Sequence, residues 1–198
     1  MLVDSHCHLD HLDVTDREGG ITAVLEAAKA RGITHFLSVA VDMPTSKSLI
    51  DLTAKHSNVY SSVGAHPLQK VQQEVPSVAE LVALAQQPRV VAIGETGLDN
   101  FYSSETIVWQ RASFINHLKA SQQINKPVII HTRDARDETI DLLRQYTPSA
   151  AGVMHCFTES WEMAEQALEL GFYISFSGIV TFASADELRD VATKVPLD

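Results

Sequence analysis

Short apolar, β-branched runs recur along this chain, and five side chains able to bind a metal stand where such runs end. His6 and His8 follow Met1-Leu2-Val3, Glu95 follows residues 90–93, His131 follows Val128-Ile129-Ile130, and His155 follows Val153-Met154. Residues two apart on a strand point to one face, so His6 and His8 can grip an ion from the same side. Strand ends that converge on a shared point are what a parallel barrel supplies. The pattern predicts a metal centre at the mouth of a β/α barrel.

The runs alternate with segments of helical period, the signature of successive βα units on a parallel sheet. Strands are expected near 2–6, 34–41, 59–64, 90–94, 128–131, 152–155 and 172–175. Helices are expected near 21–31, 45–55, 78–86, 105–125, 136–146, 161–170 and 185–193. Gly32 and Gly171 read as C-terminal caps, Pro127 as the entry to a strand, and Ser77 with Glu80 as a capping box. About seven βα units result, whereas a closed barrel of this kind has about eight in roughly 250 residues. The last residues, Val195-Pro196-Leu197-Asp198, resemble the approach to an eighth strand, so a C-terminally truncated barrel is the expectation.

A chain of 198 residues with 45% hydrophobic content suits one domain spanning 1–198, and no linker divides it. The net charge of -10 argues against a broad electrostatic grip on nucleic acid, which depends on Lys and Arg displacing counterions. Any nucleic-acid contact must be local. Two cysteines cannot build a disulfide framework, and Cys7 and Cys156 each adjoin a candidate ligand, which favours a reducing compartment. No signal peptide and no apolar run of the ~18 to 20 residues needed to span a bilayer is evident, so no membrane association and a cytoplasmic location are expected.

A His-x-His pair alone is better explained by buried, hydrogen-bonded histidines. Context favours metal: Asp4 and Asp10 flank the pair and could orient its rings, and Glu95, His131 and His155 recur at the same strand ends. Imidazole with carboxylate is a ligand set for zinc, manganese or iron. Glu95 sits between Gly94 and Gly97, and a carboxylate can bridge two ions through its two oxygens, so it is the candidate bridge and catalytic residue. Arg133 is a candidate for holding a phosphate or carboxylate of the substrate in bidentate geometry, with a surface ion pair to Asp134 as the equal alternative. His66, in Gly64-Ala65-His66-Pro67, is placed near the substrate. His11, His35, His56 and His117 read as structural or solvated. Phe101-Tyr102 could stack on a base, though loop aromatics more often pack on a helix, and Trp109, Phe114 and Leu118 form a helical core stripe.

At these residues the chain resembles the TatD family of metal-dependent deoxyribonucleases, in its YcfH-like branch. The resemblance rests on Asp4-Ser5-His6-Cys7-His8-Leu9-Asp10, Gly64-Ala65-His66-Pro67, Gly94-Glu95-Thr96-Gly97-Leu98-Asp99, residues 127–135, Met154-His155-Cys156-Phe157 and residues 171–178, and so covers the whole chain. It implies a TIM barrel with two divalent ions (Zn, Mg, Mn or similar), His6 and His8 on one, His131 and His155 on the other, and Glu95 between them. The implied activity is hydrolysis of nucleic-acid phosphodiesters, 3′ to 5′ on single-stranded DNA. Family members carry a further aspartate ligand on an eighth strand, beyond the motifs found here, which leads to the expectation that this chain alone is nearly inactive.

Relatives that bridge their metals with a carboxylated lysine on the fourth strand are disfavoured, because Glu95 stands there. An ester hydrolase acting on D-aminoacyl-tRNA is the alternative within enzymes. A reading of a different class is a metal-binding remnant without catalysis, self-associating through the open edges of its first and seventh strands.

Overall fold

The computed structural model describes residues 2–69, 74–102 and 104–197. Asp198 and Met1 lie outside the described residues. Among the described residues, seven strands alternate with seven α-helices: β1 Leu2–Cys7, α1 Gly20–Lys29, β2 Ile33–Ser38, α2 Met43–Lys55, β3 Val59–Val63, α3 Val78–Ala85, β4 Val90–Asp99, α4 Ile107–Ile124, β5 Val128–Arg133, α5 Arg136–Gln145, β6 Gly152–Met154, α6 Trp161–Glu169, β7 Tyr173–Ile174 and α7 Asp186–Lys194. Every pairing is parallel, and the strand order follows the sequence from β1 to β7. Sequential parallel order with a helix after each strand is the order of a β/α barrel, and the seven strands form a curled half-barrel in which, among the described residues, β1 and β7 are not paired with each other.

Local chemistry sets the element ends. Ser77 caps α3 by accepting from the Glu80 N–H at 3.2 Å while the Glu80 carboxylate accepts from the Ser77 N–H at 3.0 Å. Asp42 caps α2 by accepting from the Thr45 N–H. Asn125 closes α4 in the left-handed region, and the Pro127 carbonyl accepts from the Ile93 N–H before β5 begins. β4 departs from expectation. It continues through Glu95 to Asp99, with a register irregularity against β5 between Ile93 and Thr96, so Glu95 lies within the strand and not after it.

Among the described residues, three apolar clusters hold the barrel, one of them formed by Leu9, Leu25, Phe36 and Val59. Phe114, Leu118, Leu81, Ile130, Leu143 and Met154 belong to the larger core, where helices pack on the outer face of the sheet. Val39, Ala92 and Ile129 form a smaller cluster with Leu37 and Val153 packed against it. Phe114 and Leu118 are fully buried as expected, but Trp109 is only half-buried and its indole Nε1 has no partner among the described residues.

His117 is structural in a specific way. From within α4 it accepts the Ala65 N–H at Nε2 (3.0 Å), while Nδ1 meets the Ser113 carbonyl at 2.7 Å, which assigns the neutral tautomer with its proton on Nδ1. This ties α4 to the segment carrying His66. Burial pushes the His117 pKa from 6.5 down to about 4, against the opposing Ser113 hydrogen bond. A lowered histidine pKa means that the unfolded chain binds the proton first as pH falls. The contribution, about 3 kcal/mol, is therefore complete above pH 6.5 and is lost as pH drops towards 4. His117→Gln keeps an acceptor for Ala65 and is expected to flatten that loss. Urea unfolding at several pH values checks this, and parallel stability curves for the two proteins would exclude His117 as the source.

Candidate metal centre

The candidate residues all emerge at the C-terminal ends of the strands. His6 lies near the end of β1 and His8 just after it, Glu95 in the second half of β4, His131 and Arg133 on β5, His155 directly after β6, and His66 three residues after β3. Backbone bonds join these ends: the Glu95 N–H donates to the Ala40 carbonyl, the His66 N–H to Val41 and the His155 N–H to Ile130. A mouth cavity of about 560 Å³ is lined by His8, His66, Glu95, His131, Arg133 and His155, among others.

Glu95 is the hub. The residue is 4% exposed, and its carboxylate places Oε2 at 3.4 Å from His6 Nε2 and Oε1 at 3.5 Å from His66 Nε2 and 3.6 Å from His131 Nδ1. Burial alone would raise its pKa, but the contacts from His131, His6 and His66 outweigh that and hold it well below the usual carboxylate range. Glu95 is therefore an anion in a site walled by imidazoles. His6 and His155 stack face to face, with ring centres 3.4 Å apart.

Two groups of ligand atoms come together, each within 4.8 Å: His6, Glu95 and His155, and His66, Glu95 and His131. This differs from the division that the resemblance implied. His155 sits with His6, and His66, placed beside the substrate by sequence reasoning, reaches the carboxylate itself. His8 joins neither group. Its ring lies 5.2 Å from that of His6, and its Nδ1 meets the Val39 carbonyl at 2.9 Å. That carbonyl takes the orienting role expected of Asp4 or Asp10, and Asp10 instead lies 3.4 Å from His11.

The donor set fits a divalent ion. His6 Nε2 is buried and, among the described residues, has only the long 3.4 Å approach of Glu95 Oε2 and no well-formed hydrogen bond, an arrangement that costs free energy unless something else engages the lone pair. Burial first, then the neighbouring His6, lowers the His155 pKa to about 4, so its imidazole is neutral and able to ligate. Burial likewise lowers the His8 pKa, against its bond to Val39. For His131 burial also favours the neutral form, but the carboxylates of Glu95 and Asp99 outweigh it and raise the pKa.

Sequence reasoning missed Asp99. It is fully buried on β4, and its Oδ2 meets His131 Nε2 at 2.9 Å, the carboxylate–histidine pairing that orients a ligand ring. The signal was available: Glu95 and Asp99 are four apart on one strand and share a face. Arg133 does not pair with Asp134; its guanidinium lies over the rings of Phe101 and Tyr102.

A parallel barrel with a histidine–carboxylate centre at its mouth defines the class of barrel metallohydrolases. Residues 3–198 match the family model described as TatD related DNase. The chain is 50% identical over 198 residues to the uncharacterized metal-dependent hydrolase YcfH of Escherichia coli (strain K12), covering 100% of this chain and 74% of that protein. It is 32% identical over 199 residues to the uncharacterized metal-dependent hydrolase YabD of Bacillus subtilis (strain 168), covering 100% and 77%. Among solved structures, YJJV, a TatD homolog from Escherichia coli K12, aligns with a TM-score of 0.88 at 28% identity over 98% of this chain and 75% of that one. A TatD family hydrolase from Entamoeba histolytica aligns at 0.80 with 24% identity over 98% and 70%, a likeness of fold. The chain belongs to the TatD family of metal-dependent hydrolases.

Proposed function

We propose that this protein is a deoxyribonuclease that hydrolyses phosphodiesters of single-stranded DNA at a centre of two divalent ions, with Glu95 as the shared carboxylate. The observation that carries the reading is the Glu95 carboxylate, which turns one oxygen to His6 and the other to His66 and His131. Opposite oxygens facing separate histidine groups suit a ligand that bridges two ions. When bound, such ions polarise a phosphoryl oxygen and lower the pKa of water, so that hydrolysis proceeds near neutral pH.

The protein's own groups do the positioning. Asp99 fixes the ring of His131, and the Val39 carbonyl fixes that of His8. Arg133 is the one Arg or Lys among the described residues lining the mouth cavity, and its planar fork suits a phosphate. With a net charge of -10, a local contact of this kind has to replace a basic surface. The family model's description supports the same substrate class. We place the enzyme in the cytoplasm: Cys7 and Cys156 are free thiols, and no helix among the described residues is long and apolar enough to cross a membrane.

The test is a cleavage assay on 5′-labelled single-stranded DNA, duplex DNA, RNA and D-aminoacyl-tRNA with Mg²⁺, Mn²⁺ or Zn²⁺. Slow shortening of single-stranded DNA from its 3′ end, abolished by EDTA, is the expected result, in keeping with the low activity expected of this chain alone. Deacylation of the tRNA with DNA left intact would replace this reading by that of a carboxylic-ester hydrolase.

A further inference from the structure

We propose that Phe101 and Tyr102 form a stacking platform for one nucleobase of a single-stranded substrate, placing the adjoining phosphate at Arg133 and the metal centre. The inference deepens the phosphodiesterase reading above and rests on it.

Both rings are large, apolar and more than half exposed, at 58% and 59%. Among the described residues, neither belongs to an apolar cluster of the core. They meet each other edge to face, 4.6 Å apart at 87°, and the Arg133 guanidinium carbon lies 4.6 Å and 4.7 Å from their centres. Cation–π contact restrains a side chain that would otherwise have many rotamers. Since Arg133 also lines the mouth cavity, it joins the aromatic surface to the place where a phosphate must sit.

The platform is tied to the centre through one carboxylate. Asp99 Oδ2 meets His131 Nε2 at 2.9 Å, and its Oδ1 accepts the Tyr102 N–H at 2.7 Å. The spacing between stacked base and metal ligand is thereby set by a single buried side chain. Base stacking also suits an acidic protein, because it draws on the π-face of the base and not on the charge of the backbone. Every base has such a face, but in a duplex it is covered by its neighbours, so the platform selects unpaired strands with little regard to sequence.

The experiment compares the protein with Phe101→Ala/Tyr102→Ala and with the milder Phe101→Leu/Tyr102→Leu. Each is titrated in EDTA with a single-stranded oligonucleotide carrying 2-aminopurine, whose fluorescence is quenched on stacking, and with an abasic oligonucleotide of equal length. KM and kcat are then measured with metal on single-stranded DNA. Both double variants are expected to lose the quench, to bind the base-bearing strand about tenfold more weakly and to raise KM by a similar factor. Their metal content should match the parent, and their binding of the abasic strand should fall by less than their binding of the base-bearing strand, since the rings also restrain Arg133. Folding is monitored by circular dichroism, and the leucine pair keeps apolar bulk in case the alanine pair fails to fold. Unchanged quenching and KM in both variants, with the parent cleaving DNA, would overturn the platform and leave the nuclease reading intact. A parent that neither quenches the probe nor cleaves DNA would overturn both.

Discussion

Glu95→Gln is expected to empty the centre of metal, whereas Arg133→Ala retains it. Glu95 touches three imidazoles from a site that is almost fully buried, and it does so as an anion. Glutamine has nearly the same shape but no charge, and one of its two terminal atoms becomes a donor that cannot ligate. Removing groups that merely orient a ligand costs about 10- to 100-fold in metal affinity, so losing a shared ligand should cost at least about 10²-fold. Arg133 reaches the aromatic pair and the cavity rim and belongs to neither group of candidate ligands. Elemental analysis after dialysis against low metal checks the ranking, and equal ion content in the two variants would contradict it.

Gly97→Ala is expected to damage the fold and the centre together. Gly97 lies opposite His131 in the β4–β5 register, with φ +144, and an added Cβ would stand 1.8 Å from the His131 carbonyl oxygen. No rotamer relieves that clash, because both partners are backbone. Either the strands separate or β4 bends, and each moves Glu95 and Asp99 away from His131. A loss of about 3 kcal/mol or more follows, a fall in melting temperature of roughly 10 °C for a domain of this size. Metal content should fall in parallel. Gly178→Ala is the control, since nothing stands within 4 Å of its added Cβ, and its melting temperature should stay within about 2 °C of the parent. Equal melting curves for the two variants would show that the β4–β5 approach is looser than described.

Much of the architecture was legible because it is written in local periodicity. Apolar runs such as Val128-Ile129-Ile130 bury as strands, the intervening segments carry helical stripes, and Ser77 with Glu80 marks a helix start through bonds reaching only three residues. Strand ends on one side of a parallel sheet must share an edge, so the grouping of His6, Glu95, His131 and His155 follows from their positions in those runs. Neighbours contributed by distant segments were not legible. The continuation of β4 to Asp99 depends on pairing with β5, and the bond from Asp99 to His131 joins strands 32 residues apart in sequence. The turn of His8 towards Val39 and the reach of His66 to Glu95 are choices of ring orientation, decided by which carbonyl or carboxylate lies within about 3.5 Å. The resting of Arg133 on Phe101 and Tyr102 is of the same kind. Periodicity along the chain dictates which residues face a common space. The partner each one takes there is settled by the packed backbone, because contacts a few ångströms long between distant segments leave no trace in spacing.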